Sequence, residues 1–274
     1  MRAIAIPVAA LVLGGCTQLF FQPHRILVDT PARLGVEYQP VEMKASDGTA
    51  LFAWFLPARG EAKATVLFLH GNAENISTHY ASVAWMPAAG FNVFALDYRG
   101  YGGSAGTPSL EGAQLDIDAA MRSLLARPDV DPKRIVIFGQ SLGGALAIHY
   151  VAHTPYRANV RALVADSAFS DYRLITKEKL AGFFLTWPLQ WLPWLTVDND
   201  YSPEASVGAL SPIPLLLIHG DRDAVVPFHH SQRLFDLAGE PKELWIVPGA
   251  GHIQSSNSAA VRMRLIEFLL RYTS

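Results

Sequence analysis

A serine between two glycines stands at a junction in the sequence, after an apolar run and before a helix-like stretch. The apolar run is residues 134–138, the motif is Gly139-Gln140-Ser141-Leu142-Gly143, and the helix-like stretch is residues 142–153. A Gly-x-Ser-x-Gly turn between a strand and a helix pushes the serine hydroxyl out of the backbone. Larger residues at the glycine positions would collide with the neighbouring strands and helix. The motif therefore predicts an exposed nucleophile at Ser141, although serine is also a common helix N-cap.

Apolar runs and helix-like stretches alternate around this motif. The predicted strands are residues 64–70, 91–97, 134–139 and 162–166, and the predicted helices lie near residues 78–89, 110–126 and 142–153. Before them, runs at 36–43 and 51–56 flank Asp47-Gly48, which is a hairpin signal. Continuous apolar strands that alternate with helices indicate a parallel sheet covered on both faces. Ligands of such sheets bind at the carboxyl ends of the strands, which is where Ser141 falls.

Two further strand-like runs end in loops that carry the partners a serine nucleophile needs. Residues 215–218 lead into His219-Gly220-Asp221-Arg222-Asp223, and residues 245–247 lead into Pro248-Gly249-Ala250-Gly251-His252. A serine hydroxyl is unreactive until a base removes its proton, and an acid must orient that base. His252 is the predicted base. Ser, then Asp, then His is the chain order of an α/β-hydrolase triad.

With these motifs the chain resembles the serine hydrolases of the α/β-hydrolase fold, in the serine aminopeptidase-like or acyl-thioesterase-like branch. The resemblance runs from about residue 36 to the C-terminus. It rests on the serine motif and on three others: His70-Gly71-Asn72-Ala73-Glu74-Asn75, Asp97-Tyr98-Arg99-Gly100-Tyr101-Gly102-Gly103-Ser104 and His219-Gly220-Asp221-Arg222-Asp223. It implies an α/β domain over residues 36–274, with a mostly parallel sheet of about eight strands, helices on both faces and a small cap at about residues 171–208.

The resemblance also implies which acid serves the triad. The family pattern His-Gly-x-x-Asp-x-x-Val-Pro selects Asp223, which leaves Asp221 to accept backbone N–H groups within its loop. Asp166 ends the strand after the serine helix, where some hydrolases keep the acid, and it is the alternative. His70 and His219 are expected to be structural.

An oxyanion site needs two donors aimed at the developing negative charge. The backbone N–H of Leu142, directly after the nucleophile, is the first expected donor. The second is the backbone N–H of Asn72, in the loop after His70-Gly71. Asp97 is expected to satisfy backbone donors in the Arg99–Gly102 turn.

The N-terminus reads as a targeting segment. Met1-Arg2 and the apolar residues 3–13 form a signal peptide too short to span a bilayer, and Leu13-Gly14-Gly15-Cys16 resembles a bacterial lipobox. This predicts a signal peptide at 1–15, a lipidated Cys16 and a tether at 16–35. By resemblance to the sorting rules of enteric lipoproteins, Thr17 in place of aspartate implies the outer membrane, facing the periplasm. The alternative is that Cys16, the only cysteine, belongs to an ordinary signal peptide.

Residues 180–197 break the alternation because they are uncharged and rich in aromatic side chains. Pro188, Pro193 and Gln190 argue against a membrane-spanning helix. The cap is the preferred interpretation of this stretch. Its aromatic residues would then pack the cap onto the core, line an acyl pocket, or enter a membrane interface, where Trp is favoured.

Composition narrows the function classes. A net charge of −2 gives no indication of nucleic acid, and the nine scattered histidines form no metal-binding pattern. No cofactor is implied, and the oligomeric state is left open. The sequence predicts a hydrolase of carboxylic esters or thioesters with apolar acyl groups. The alternatives are a serine aminopeptidase, for which Glu74 and Asp171 could hold the substrate amine, and a non-catalytic envelope lipoprotein.

Overall fold

The computed structural model describes residues 20–273. The predicted signal peptide and Cys16 lie outside this range. The strands are β1 Gln22–Pro23, β2 Gln39–Lys44, β3 Ala50–Leu56, β4 Ala64–Leu69, β5 Ala73–Glu74, β6 Phe91–Asp97, β7 Ile135–Gln140, β8 Val160–Asp166, β9 Leu215–Gly220 and β10 Lys242–Val247. The helices are α1 Ile76–His79, α2 Leu110–Leu125, α3 Leu142–His153, α4 Tyr172–Ala181, α5 Pro193–Thr196, α6 Pro203–Ser206, α7 His229–Leu237 and α8 Ala259–Thr273.

Eight strands form one sheet in the order β10-β9-β8-β7-β4-β6-β3-β2. The pairs from β10 to β6 are parallel, and β3 joins β6 and β2 through antiparallel pairs. Every residue of β4, β6 and β7 is buried, as expected for strands covered on both faces. The fold is therefore the predicted α/β-hydrolase fold.

The two faces of the sheet carry separate hydrophobic cores. On one face Leu67, Phe94 and Ile137 pack with residues of α2 and α3. On the other face Phe68 and Phe138 pack with residues of α8. Alternate side chains along each strand point to opposite faces, so one apolar strand supplies both cores.

The predicted helix near residues 78–89 is wrong as a continuous element. The chain forms α1, a 3₁₀ turn at Tyr80–Ser82 and another at Pro87–Ala89. Pro87 has no N–H to donate to a preceding turn. Gly90 ends the stretch with a left-handed φ of 90°.

Residues 20–35, predicted as part of a tether, lie against the domain. Phe21 is buried in the core, and β1 pairs in parallel with β5. The N–H of Gln22 donates to the carbonyl of Asn72 at 2.8 Å, and the Tyr80 hydroxyl donates to the carbonyl of Thr30 at 3.0 Å. This part of the chain belongs to the folded domain, because it contributes a side chain to the core and hydrogen bonds with residues far along the chain.

The region between β8 and β9 contains only short helices. No helix in the described part of the chain combines the length and apolar character that crossing a bilayer demands. Pro188 and Pro193 each begin or interrupt a helical turn. Phe183, Phe184, Trp187, Trp191 and Trp194 are all exposed to solvent. The interpretation that they pack onto the core is therefore wrong, and none of them lines the cavity at Ser141 that is described below.

Candidate active site

Ser141 occupies the turn between β7 and α3 with φ 52° and ψ −117°. A positive φ strains a non-glycine residue, and such strain collects at functional sites. Its N–H donates to the carbonyl of Asp166 at 2.8 Å, and its side chain does not cap α3. Ser141 therefore occupies the N-cap position of α3, but its hydroxyl makes no capping hydrogen bond and is left for another role.

The two glycines of the serine motif are fixed by close backbone contacts. A Cβ on Gly143 would lie 2.1 Å from the carbonyl oxygen of Leu69 in β4. A Cβ on Gly139 would lie 2.3 Å from the carbonyl oxygen of Gly143. Both distances are far shorter than van der Waals contact, so only glycine fits at either position, as the motif predicted.

His252 and Asp223 meet at the carboxyl end of the sheet. Nδ1 of His252 lies 2.7 Å from Oδ2 of Asp223, whose side chain is buried. Since a carboxylate can only accept, Nδ1 carries the proton and Nε2 has a free lone pair. Oδ1 of Asp223 accepts the N–H groups of Val225 and Val226, each at 2.8 Å.

The electrostatics of Asp223 favour its charged form. Burial by itself would raise the pKa of this carboxyl group, but the hydrogen bonds from His219, His252 and the Val226 amide lower the pKa well below its ordinary value. His219 is fully buried and is held by Ser231 at 2.7 Å and the Val226 carbonyl at 2.8 Å. It supports the acid loop, in line with its expected structural role.

The acid loop and the histidine loop are tied to each other. The N–H of Gly249 donates to Oδ1 of Asp221 at 2.6 Å, and the N–H of Arg222 donates to the carbonyl of Ala250 at 3.0 Å. Asp221 thus accepts a backbone N–H, as predicted, but from the neighbouring loop. These contacts fix how closely His252 can approach Asp223.

Asp166, the alternative acid, bonds to other groups. Its carboxylate accepts from Ser255 at 2.5 Å and from the Gln140 amide at 3.2 Å. Full burial raises its pKa, which favours the neutral form. The hydrogen-bonded acid of His252 in this structure is Asp223.

The end of β8 lies between the serine turn and the histidine loop. The Asp166 carbonyl binds the Ser141 N–H, and the Ser167 hydroxyl accepts the N–H of Ile253 at 3.2 Å.

Within residues 20–273 the Ser141 hydroxyl makes no hydrogen bond to His252. In hydrolases without substrate this contact is often long and tightens in the Michaelis complex.

The loop that contains Asn72 is held by a buried histidine. Nδ1 of His70 donates to the carbonyl of Gly71 at 2.7 Å. In a trans peptide the C=O and N–H point in opposite directions, so this bond also sets the direction of the Asn72 N–H. On the other side, the Asn72 carbonyl accepts from Gln22 and, at 2.6 Å, from the Tyr101 hydroxyl.

His70 is neutral in this position. Burial, with a smaller contribution from His79, lowers its pKa to about 3. Its Nε2 has no hydrogen-bond partner and lies 3.6 Å from Oδ1 of Asp97. Burial raises the pKa of Asp97 to about 7. Asp97 accepts the N–H groups of Ile76 and Gly103, which agrees with its expected backbone-binding role but places the donors outside the predicted turn.

Ser141, Leu142 and Asn72 line one cavity of about 510 Å³. Its lining also includes Phe20, Gln22, Phe169, Ile175, Thr176, Lys179, Leu180, Val225 and Val226. A larger hollow of about 710 Å³ surrounds Pro155 and Pro212, but none of the predicted site residues lines it. The smaller cavity is therefore the candidate site, because it is lined by the predicted nucleophile and by both predicted oxyanion residues, while His252 and Asp223 lie outside its lining.

Sequence reasoning missed two contributors to this cavity, Phe20 and Gln22. They lie in the stretch predicted as a tether, where prolines and weak periodicity suggested a linker. The aromatic pair Phe20-Phe21 was the available signal, because a solvated linker rarely needs adjacent aromatic side chains.

A group of possible metal ligands lies next to the cap. The ligand atoms of Glu178, His229 and His230 are within 4.8 Å of one another. Nδ1 of His230, however, accepts the backbone N–H of Ser170 at 3.1 Å. The proton is therefore on Nε2, the atom that faces Glu178 at 3.1 Å. This arrangement suits a His–Glu hydrogen bond and not a metal ligand.

These features agree with comparisons to known proteins. A family profile described as serine aminopeptidase, S33, matches residues 60–209, and the chain belongs to this family of α/β hydrolases. It is 39% identical over 239 residues to the uncharacterised protein YfhR of Escherichia coli K12, covering 85% of this chain and 80% of that protein.

More distant proteins share the fold. The α/β-hydrolase domain-containing protein WAV2 of Arabidopsis thaliana is 34% identical over 75% of this chain and 68% of its own length. The esterase Pf2001 of Pyrococcus furiosus superposes with a TM-score of 0.73 at 25% identity, covering 93% of this chain and 98% of that structure.

Proposed function

We propose that this protein is a serine esterase or thioesterase that works through an acyl-enzyme on Ser141. Ser141 attacks the acyl carbonyl while Nε2 of His252 takes its proton. His252 then returns the proton to the leaving group, and Asp223 stabilises the imidazolium. The observation that carries this proposal is the 2.7 Å bond between His252 and Asp223, beside the strand end that holds Ser141. Water repeats the sequence on the acyl-enzyme and releases the acid.

The oxyanion that forms in each step is bound by the backbone N–H groups of Asn72 and Leu142. Both residues line the cavity with Ser141. His70 supports the Asn72 donor by holding the Gly71 carbonyl on the opposite side of the same peptide. The positive end of the α3 dipole adds to the stabilisation.

The lining of the cavity favours an acyl substrate. Most of its side chains are apolar, and none of its lining residues is an acid. An aminopeptidase would need a carboxylate to hold the free amine. Asp171 is committed to the N–H of Leu174 and the amide of Asn199, and Glu74 is not part of the lining. Esters and thioesters are therefore favoured over peptides.

We further propose that the mature protein begins at a lipidated Cys16 and is held in the outer membrane, facing the periplasm. The lipobox-like Leu13-Gly14-Gly15-Cys16 supports this attachment. Several acyl chains at about 0.8 kcal/mol per buried CH₂ would anchor it stably. Membrane fractionation of cells that express the chain or Cys16→Ser tests the attachment. Equal membrane recovery of both would contradict it.

Hydrolysis of p-nitrophenyl esters from acetate to palmitate by the full chain in detergent tests the enzyme proposal, with Ser141→Ala as the matched variant. Activity that disappears in the variant supports it, and the preferred chain length reports the size of the cavity. A folded wild type that neither hydrolyses any ester nor labels with a fluorophosphonate serine probe would favour the non-catalytic alternative. Labelling without ester hydrolysis would direct the search to peptides.

A further inference from the structure

The region between β8 and β9 presents a continuous apolar stretch to solvent. We call it the cap surface, and its side chains are between 39% and 78% exposed: Phe183, Phe184, Leu185, Trp187, Leu189, Trp191, Trp194 and Leu195. Phe184 and Leu195 are the most exposed of them, at 78% and 75%. Apolar exposure concentrated in one segment marks a surface that binds a protein, a membrane or a ligand.

The threonine and glutamine side chains of this segment bond to carbonyls within the segment. Residues 180–197 contain no charged residue. The Thr186 hydroxyl donates to the Leu180 carbonyl at 2.8 Å, Gln190 to the Trp187 carbonyl at 2.9 Å, and the Thr196 hydroxyl to the Leu192 carbonyl at 3.1 Å. An element that enters a hydrocarbon environment must satisfy its polar groups internally.

The chain enters the domain at the base of the cap. Phe20, the first described residue, packs against Tyr172 with ring centroids 4.9 Å apart and against Phe169 at 5.9 Å. Tyr172 is the first residue of α4, which leads into the cap surface. Phe20, the point at which the segment that contains Cys16 is joined to the domain, therefore lies on the side that carries the cap.

The cap also borders the cavity. Lys179 and Leu180, which lie near the end of α4 shortly before the cap surface, line the cavity with Ser141. Lys179 donates to the carbonyl of Val225, which links α4 to the loop of Asp223. A bilayer on the cap surface would thus lie next to the cavity that contains the serine.

We infer that the cap surface is a membrane-docking surface, which inserts its Phe, Trp and Leu side chains into the boundary between the headgroups and acyl chains of a lipid bilayer. Tryptophan is favoured at this depth because its ring is apolar and its indole N–H is polar. The docking does not depend on the chemistry of Ser141. Its consequence, that an acyl ester passes from the bilayer into the cavity, rests on the proposed function.

Charges of both signs flank the segment, with Lys177, Glu178 and Lys179 before it and Asp198 and Asp200 after it. Apolar burial and not charge attraction is then the main driving force. Since salt screens only charge interactions, docking is expected to persist at high salt.

The test is tryptophan quenching by lipids. The full chain is reconstituted in vesicles of phosphatidylethanolamine and phosphatidylglycerol whose acyl chains carry bromine atoms, and emission is compared with vesicles of ordinary lipids. Three of the six tryptophans belong to the cap surface, while Trp54 and Trp245 are buried. We expect bromine-dependent quenching that is lost in W187F/W191F/W194F and kept in Trp85→Phe.

A second pair of variants leaves the tryptophans in place. Phe184→Asp with Leu195→Asp should reduce the quenching. Ile246→Asp with Met263→Asp, which change exposed apolar residues away from the cap, should not. Ser141→Ala should be quenched like the wild type, which separates docking from catalysis. Equal emission in brominated and ordinary vesicles would overturn the inference. So would quenching that survives in the triple Phe variant, or a dimer that buries the cap and excludes lipid.

Discussion

Nδ1 of His70 donates to the carbonyl of Gly71 at 2.7 Å, and this bond orients the peptide whose N–H belongs to Asn72. The same histidine is fully buried and neutral. Its contribution is therefore geometric, since it holds one donor of the proposed oxyanion site in place before substrate arrives. An oxyanion site is effective when its donors need no rearrangement as charge develops.

The role of His70 predicts a different result for two substitutions. His70→Asn can keep a side-chain N–H near the position of Nδ1 and should retain most of the activity. His70→Leu removes the donor to the Gly71 carbonyl and should lower kcat by roughly 10- to 100-fold with little change in KM. The reason is that the Asn72 N–H would then point away from the oxyanion, whose hydrogen bond forms only in the transition state. Steady-state kinetics on the preferred ester measures both constants. Equal losses in the two folded variants would contradict the role.

If Asp223 is the triad acid, substitution of Asp223 and of Asp166 should lower the catalytic activity by very different amounts. Asp223→Asn should lower kcat by about 10⁴-fold, the order expected when a triad acid no longer fixes the histidine tautomer. Asp166→Asn removes a buried acid that bonds Ser255 and Gln140 and should keep most of the activity. Burst kinetics with a p-nitrophenyl ester compares the two. The reverse ranking would assign the acid to Asp166.

The contact between Gly143 and Leu69 predicts a strong effect on stability. In Gly143→Ala the new Cβ would lie 2.1 Å from a backbone oxygen, which cannot move without disturbing β4. We expect a loss of about 3 kcal/mol or more in the free energy of unfolding. Gly182→Ala is the control, because its Cβ would come no closer than 3.6 Å to its neighbours. Chemical unfolding followed by circular dichroism should leave the control close to wild type.

His70 also predicts how stability depends on pH. Its pKa in the folded state, about 3, lies below the ordinary 6.5, so between these values the unfolded chain binds a proton that the folded chain does not. The contribution of His70 to the free energy of unfolding is therefore complete above pH 6.5. It decreases as the pH falls below this value, by at most about 1.4 kcal/mol per pH unit.

Asp97 acts in the opposite direction, because burial raises its folded pKa to about 7. Comparing the wild type with His70→Asn separates the contributions of the two groups to stability, because Asp97 and His79 are present in both proteins. The wild type should lose stability relative to the variant as the pH falls from 6.5. Urea midpoints between pH 4 and 8 measure this difference, and parallel curves would show that His70 is not held neutral.

Local patterns in the sequence determined the sheet and the serine turn. Continuous apolar strands separated by helices can be buried only in a covered parallel sheet, and the observed strands of this sheet agree with the predicted ones to within a few residues. Gly139 and Gly143 signalled the tight turn, because no other residue type tolerates the observed contacts. The helix predicted near residues 78–89 is instead divided into α1 and two 3₁₀ turns, the second of which begins at Pro87.

Tertiary structure decided the questions that depend on long-range contacts. Asp166 ends one apolar strand and Asp223 follows another; the family pattern favoured Asp223, and the packing of the loops shows that its carboxylate is the one bonded to His252. Residues 20–35 have the composition of a linker, yet Phe21 is buried in the core and the N–H of Gln22 donates to the carbonyl of Asn72. The aromatic side chains of residues 183–194 are apolar in any context, but whether they are buried depends on what packs against them. A sequence pattern records the local preference of each residue, whereas burial and hydrogen bonding are completed by residues far apart in the chain.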